Sequence, residues 1–494
     1  MNTPQIENLP AVLQRHLGLQ QAQTVAPEDV VADGLARLFG SRGDVTRLKQ
    51  LWARDGAEKL VAGWRPDEHE DALQVLRRAL DANLVVQRKR DGTPKSFRPL
   101  VPEFVTAAGA GDVYREMGRA VNDALWADPV VRAGVHRCAS SWRNGHPIAA
   151  ALAGLCPAVR EPASEPSHLA NLLSSGSDPA LVEWVNTCVA EDWRAWIRAA
   201  ESLSVDEQLE SMTALACLHL HVALLQRLSP ESRSLTAEGH DGVRSQRGIF
   251  FAVVAGGEFD PACARAAYHV FAMWSGRAND ALRLVAGQQV DKVCAAQPDY
   301  GDFSHPRNIA AWTSASIVAS KRTNERFRES LIESSQGGRQ DGRTAVIDAL
   351  VHAFSPASGV ATKVRDFLRT SGRAVGIVGP DTRNARKRYQ LDDRGISLLA
   401  RLHAHRGDEV HSGDTEAMSI NAFLDDVFYR YGLVVTAERG GAKHALRSES
   451  AKPLAMRMPP NEAMRRNRAN LERRLDDLRL VRRYSDDSAV IHVR

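Results

Sequence analysis

The chain has 494 residues, 44% of them hydrophobic and 25% charged, with a net charge of +4. Such a chain can bury large cores without disulfide staples, and its length suggests about three domains at ~100–200 residues each. No stretch carries the ~18–20 consecutive apolar residues that a membrane helix needs, and the nearest run, 147–159, is short and rich in small residues. No membrane partner is therefore expected.

The first residues lack a basic segment followed by an apolar one, so no secretion signal is expected there. Six cysteines lie far apart with no CxxC pair. Reduced thiols in a cytoplasmic protein are the expectation. Charge is distributed unevenly: residues 1–100 carry +2, residues 101–360 carry −6 and residues 361–494 carry +8. A basic end attached to an acidic middle is the asymmetry of a chain whose end meets a polyanion, although a solvated arginine-rich surface has the same composition.

In chain order, the first clear element is a helix over 67–82, with Leu73, Leu76 and Leu80 on one stripe and acidic residues at its start. Two strand-like runs follow, separated by Asp91-Gly92, the signature of a tight hairpin turn. Pro94 weakens the second run or confines it to an edge. Helices are expected over 182–200, where Val185, Cys188, Val189, Trp193 and Trp196 recur at helical spacing, and over 205–228, 262–286 and 309–331. The nine tryptophans are expected to pack between helices. Polar breaks fall at 158–180, 229–248 and 334–343, the last being the best linker candidate.

Toward the C-terminus, a short amphipathic helix covers 395–405. A second covers 419–431, with Ser419 as its cap and Gly432 as its stop. A short strand is expected at 433–435, and a third helix over 461–478 carries Met464, Leu471, Leu475 and Leu478 on one face. Runs at 479–484 and 488–493 flank a turn and read as a terminal hairpin. Three helices and a hairpin have the element order of winged helices, as do the helix and hairpin near the N-terminus. The expected fold is therefore mainly α. It comprises an N-terminal winged-helix-like module (1–101), an acidic helical body (102–333), a linker (334–343) and a basic C-terminal winged-helix-like domain (344–494).

The candidate binding residues follow from that layout. The polar surface of the third C-terminal helix holds Arg465, Arg466, Arg468, Arg473 and Arg474, and the hairpin adds Arg482 and Arg483. Arg386, Lys387 and Arg388 precede the first of the three helices, and Arg88, Lys89 and Arg90 decorate the N-terminal hairpin. A helix fits the major groove of duplex DNA, and arginine suits phosphate forks and guanine edges. The same modules dock proteins, and Glu472, Asp476 and Asp477 could pair with the arginines locally.

Catalytic and cofactor motifs are missing. There is no GxxxxGK[ST], GxSxG or HExxH, and the glycines at 256–257 and 376–379 read as turns. No cofactor is expected. His219 and His221, two apart on a helix, point to different sides and are expected to be structural. His403, His405 and His411, with Asp408, Glu409 and Asp414, have metal-ligating chemistry but no recognised zinc spacing, so no metal is expected.

The expected function is thus a non-catalytic, DNA-associated scaffold or accessory subunit of a bacterial multi-protein system such as anti-phage defence. It would prefer duplex DNA and also hold protein partners. The alternatives are an adaptor that docks a partner protein through its winged helices, and a metal-dependent nuclease using His403, His405 and Asp408.

Overall fold

The structure, a computed structural model, describes residues 5–9, 11–13, 31, 35, 52, 66–83, 85–88, 90–97, 128–145, 184, 188–228, 248–256, 260–301, 303, 311–313, 316–317, 321–336, 341–358, 360–382, 385–406, 419–437, 442–443, 446, 452–483 and 489–493. It is mainly helical with a few small sheets.

The N-terminal elements are β1 (Gln5–Ile6), α1 (Pro66–Asn83), β2 (Val85–Arg88) and β3 (Pro94–Phe97). β2 and β3 pair antiparallel around Asp91-Gly92. Gly92 takes φ +84°, the left-handed conformation the turn needs. Asp91 Oδ1 accepts from the Thr93 backbone N–H at 3.0 Å, closing the turn. Pro94 is the first residue of its strand, where its missing N–H is least costly.

Helix α2 (Pro129–Gly145) packs on α3 (Ala190–Ala200), and α4 (Val205–Arg227) follows. The start of α4 is fixed by a capping box: Glu207 N–H donates to Ser204 Oγ, and Glu207 accepts from the Ser204 backbone N–H at 2.9 Å. Among the described residues, one helix, Val205–Gln226, is long and apolar enough to cross a membrane, with a mean hydropathy of 1.2 over its best window. The run is interrupted by polar side chains, so a search for an unbroken apolar stretch passes over it. In the fold, 78% of that window is buried, which is the environment of a core helix surrounded by others.

Next come β4 (Phe250–Phe251), β5 (Val253–Val254), α5 (Pro261–Gly276) and α6 (Ala278–Ala296), so the expected helix over 262–286 is two helices meeting at Arg277. β6 (Ser316–Ile317) pairs parallel with β1. Helices α7 (Lys321–Gln336) and α8 (Gly342–Ser358) pack against each other, and residues 334–336 and 342–343 of the expected linker belong to their ends. Helix α9 (Val360–Val375), β7 (Val378–Gly379), β8 (Arg388–Leu391) and α10 (Asp393–Ala404) follow.

Gly376 links α9 to β7 at φ +84°; a Cβ there would lie 2.0 Å from Asp392 Oδ1, so only glycine fits. Asp392 caps α10 through the N–H groups of Arg394 and Gly395. The remaining elements are α11 (Ile420–Tyr431), β9 (Leu433–Val434), α12 (Lys452–Ala455), α13 (Asn461–Asp477), β10 (Val481–Arg483) and β11 (Ala489–Ile491). Ser419 caps α11, accepting from Ala422 N–H at 3.1 Å, and Gly432 ends it at φ +71°. β10 and β11 form the terminal hairpin, and Ser419 bridges Val490 antiparallel.

Two pairings join distant parts of the chain. β4 runs parallel to β9, and β5 runs parallel to β8, which pairs antiparallel with β7. The acidic middle and the basic C-terminal segment therefore share sheets. They also share one hydrophobic core, which contains Trp142, Trp184, Trp193, Trp196, Phe250, Phe251, Tyr389 and Tyr431, all fully or almost fully buried.

Asn467 of α13 fastens this junction. Its Oδ1 accepts from Val254 N–H at 2.9 Å, and its Nδ2 donates to Ala252 O at 3.1 Å and Val435 O at 2.9 Å. Replacing Asn467 with alanine strands a buried donor and two buried acceptors. The expected cost is about 2 kcal/mol, read as a lower urea midpoint at an unchanged slope.

Candidate nucleic-acid interface

Helix α13 turns Ala463, Met464, Asn467, Leu471 and Leu475 inward. The outward stripe is Glu462, Arg465, Arg466, Ala469, Arg473 and Asp477, all exposed. The buried face fixes the helix on β5 and α5, so the outward side chains project from a rigid element.

Among the expected binding residues, Arg465, Arg473, Arg482 and Arg90 are exposed. Specific contacts within the chain hold Arg466, Arg468, Arg474, Arg483, Arg386, Lys387, Arg388 and Arg88. Arg466 grips Asp260 Oδ2 through Nε at 2.8 Å and Nη2 at 2.6 Å, and reaches Glu462 at 2.6 Å. That hydrogen bond to Asp260 raises the Arg466 pKa. Burial would raise the Asp260 pKa, but Arg466 and the N–H groups of Cys263 and Ala262 lower it further, so the carboxylate is held ionised as the cap of α5. Arg468 pairs with Glu472 at 2.8 Å, one helical turn away.

Arg474 lies over Gly256, where a Cβ would meet its guanidinium at 2.9 Å, and it binds Asp393 and Asp477. Arg483 Nε donates to Asp476 at 3.2 Å, tying the hairpin to α13. Arg386 sits over the Tyr268 ring at 5.7 Å. Lys387 Nζ donates to the carbonyls of Pro380 at 2.7 Å and Thr382 at 2.8 Å, and desolvation, then the Arg373 charge, lowers its pKa. Arg388 is half-buried in β8 with Nε on Gln390, and burial lowers its pKa. Arg88 is bound to Asp81 and the Gly92 carbonyl, and Arg90 is exposed. The side chain of Lys89 lies outside the described residues.

A second constellation had no counterpart in the sequence reading. Asp192, on the tryptophan-bearing face of α3, is fully buried and ringed by donors. His219 Nε2 lies 2.9 Å from Oδ2, and Tyr431 OH donates to the same oxygen at 2.8 Å. Arg406 donates to Oδ1 through Nε at 2.9 Å, and its Nη2 lies 2.8 Å from the same oxygen. Arg406 also binds Asp426, which accepts from Arg430 Nε at 2.7 Å and lies 2.9 Å from His403 Nδ1.

Burial alone would raise both carboxyl pKa values, but Arg406 leads the neighbours that pull them below the ordinary range. Two carboxylates thus face two guanidinium groups, with Glu191 bound to Arg430 at the rim. A carboxylate among tryptophans on an apolar face was the available signal. Its partners Arg406 and Tyr431, more than 200 residues away, were not available.

His219 and His221 diverge as expected. His221 is fully buried, with Nδ1 3.0 Å from Ser371 Oγ and Nε2 3.3 Å from Tyr389 OH. Ser371 in turn donates to Phe367 O at 2.8 Å, so this Ser–His pair is a closed core network. Burial holds the His221 pKa down at about 3. His403 is committed to Asp426, and His411, Asp408, Glu409 and Asp414 lie outside the described residues. Among the described residues, no three His, Cys, Asp or Glu side chains gather as a metal site.

A cleft of about 570 Å³ lies between α4 and α10. Trp196, Leu203 and Leu402 line it, with Glu210 on one wall and Arg394 on the other. Ser211, also in its lining, accepts from Trp196 Nε1 at 2.9 Å and donates to Glu207 O at 2.7 Å, so its hydroxyl is occupied by core hydrogen bonds. Comparison with protein-family models, curated proteins and solved structures finds no match for this chain.

Proposed function

We propose that this protein is a non-catalytic scaffold whose C-terminal unit contacts the backbone of duplex nucleic acid through the outward face of α13 and the adjoining hairpin. The observation that carries this reading is the exposed stripe of Arg465, Arg466 and Arg473 around the small Ala469, on a helix whose opposite face is fixed in the core. The order α10, Ser419 bridge, α11, α13, β10 and β11 supports a winged-helix reading, because the bridge places the residue before α11 beside the last strand. In that reading α13 is the helix presented to the groove and the hairpin is the wing.

The test is a titration of labelled duplex DNA at low salt and at increasing salt. Binding should weaken steeply as salt rises, because displaced counterions drive it. Replacing Arg465 and Arg473 with glutamate should weaken binding by about tenfold or more, and neutralising two phosphate contacts should reduce the salt slope by about two. Absence of binding at low salt would sink the reading.

The ion pairs add a prediction of opposite sign. Asp260→Asn retains a good helix cap but loosens the hold on Arg466. Duplex affinity should rise severalfold in the same titration while the thermal midpoint stays nearly unchanged.

A further inference from the structure

A groove of about 520 Å³ separates the outward side of α5 from the segment 456–460. Its floor is apolar and small, formed by Ala262 and Ala266 of α5 with Met458 and Pro459 opposite. Arg265 and His269, one helical turn apart and exposed, form one rim, and exposed Arg457 stands on the other. Met456, also part of the lining, is 81% exposed, the most exposed large apolar side chain among the described residues. Among the described residues, no carboxylate lines the groove. Asp260, at the start of α5, is occupied by Arg466 and by the backbone N–H groups it caps.

We propose that this groove is a docking socket for an acidic peptide segment of a partner protein, one that inserts an apolar side chain between its basic rims. Charge selects the ligand, since the described residues around the opening include Arg265, His269 and Arg457 and no acidic side chain. Shape selects the anchor. The described lining offers no Trp, Tyr or Phe ring as a stacking platform, unlike sites built for single-stranded nucleic acid. It offers two methionines, which adapt to irregular apolar side chains and recur on peptide-binding surfaces. The volume suits a few side chains and is far too small for a duplex. The site lies before α13 and stands independently of whether that helix meets DNA.

The test uses the full chain and three fluorescent probes. One is a short peptide with leucine and phenylalanine flanked by glutamates, the second is the same peptide with lysines replacing the glutamates, and the third is a single-stranded oligonucleotide. The acidic peptide should bind saturably and the lysine peptide should not. Arg265→Glu and Met456→Asp, both at exposed positions, should each weaken binding by about tenfold, as expected for a charged and an apolar anchor. Unchanged thermal midpoints would show that both variants retain the fold.

The proposal is overturned if the acidic peptide does not bind, if the lysine peptide binds as well, or if neither substitution matters. It is also overturned if the oligonucleotide displaces the peptide and loses its own binding through both substitutions, which would make the groove a nucleic-acid site.

Discussion

Replacing Asp192 with alanine is expected to destabilise the fold by about 3–5 kcal/mol, the usual cost of removing one partner from a buried ionic pair. The carboxylate has no exposure to water and anchors Arg406, Tyr431 and His219 at 2.8–2.9 Å. Without it, Arg406 must share the partly buried carboxylate of Asp426 with Arg430, whose other carboxylate partner is Glu191 at the rim. Repulsion between the two guanidinium groups then adds to their desolvation.

Glu191→Ala is the control. Glu191 also binds Arg430, but its side chain is 49% exposed, so water replaces it and the expected loss is at most about 1 kcal/mol. Urea unfolding of the two variants reads both values. Equal losses would show that burial is not what gives the node its weight. Because the native state lowers the pKa of Asp192 and Asp426, their contribution is complete above the ordinary carboxylate range and is lost as pH falls through and below it.

The node also shows where sequence reasoning reaches its limit. Features set by neighbours in the chain were legible: the Asp91-Gly92 hairpin, the Ser419 cap, the Gly432 stop, the terminal hairpin and the tryptophan-lined helices. Each follows from a local backbone requirement or a short period. The pairings of β4 with β9 and β5 with β8 were not legible, because a strand of two residues has no period to detect.

The charge census was incomplete for a related reason. Net charge is summed along the sequence, whereas an ion pair forms in space. The basic C-terminal segment sends Arg466 to Asp260 of the acidic middle, and Arg406 and Arg430 to Asp192. Part of the asymmetry that pointed to a polyanion is therefore spent in holding the two segments together. Asn467 lay unnoticed between two arginines, although its position on the Met464–Leu471 face marked a buried polar side chain that needed partners.

His221 supplies the second large effect, one that acts through pH. Its ring is buried against Ser371, Tyr389 and Phe250, none of which carries charge at neutral or mildly acidic pH, and burial holds its pKa at about 3 against an ordinary 6.5. The folded state therefore keeps the ring neutral where the unfolded chain already binds a proton. The unfolded state binds more protons between those values, so stability rises with pH across the window and falls as pH drops through it. From pH ~6.5 to ~4.5 the expected loss is about 2 kcal/mol, at a limiting slope of about 1.4 kcal/mol per pH unit.

That window lies above the range in which Asp192 and Asp426 titrate, so the two effects separate on the pH axis. His221→Gln, which cannot titrate, should be less stable than the parent at pH ~7.5 because the core network is disturbed. Its urea midpoint should nevertheless lose most of the dependence between pH ~6.5 and ~4.5. A variant that retained the full slope would move the titrating group elsewhere and leave the Ser371–His221–Tyr389 network as packing alone.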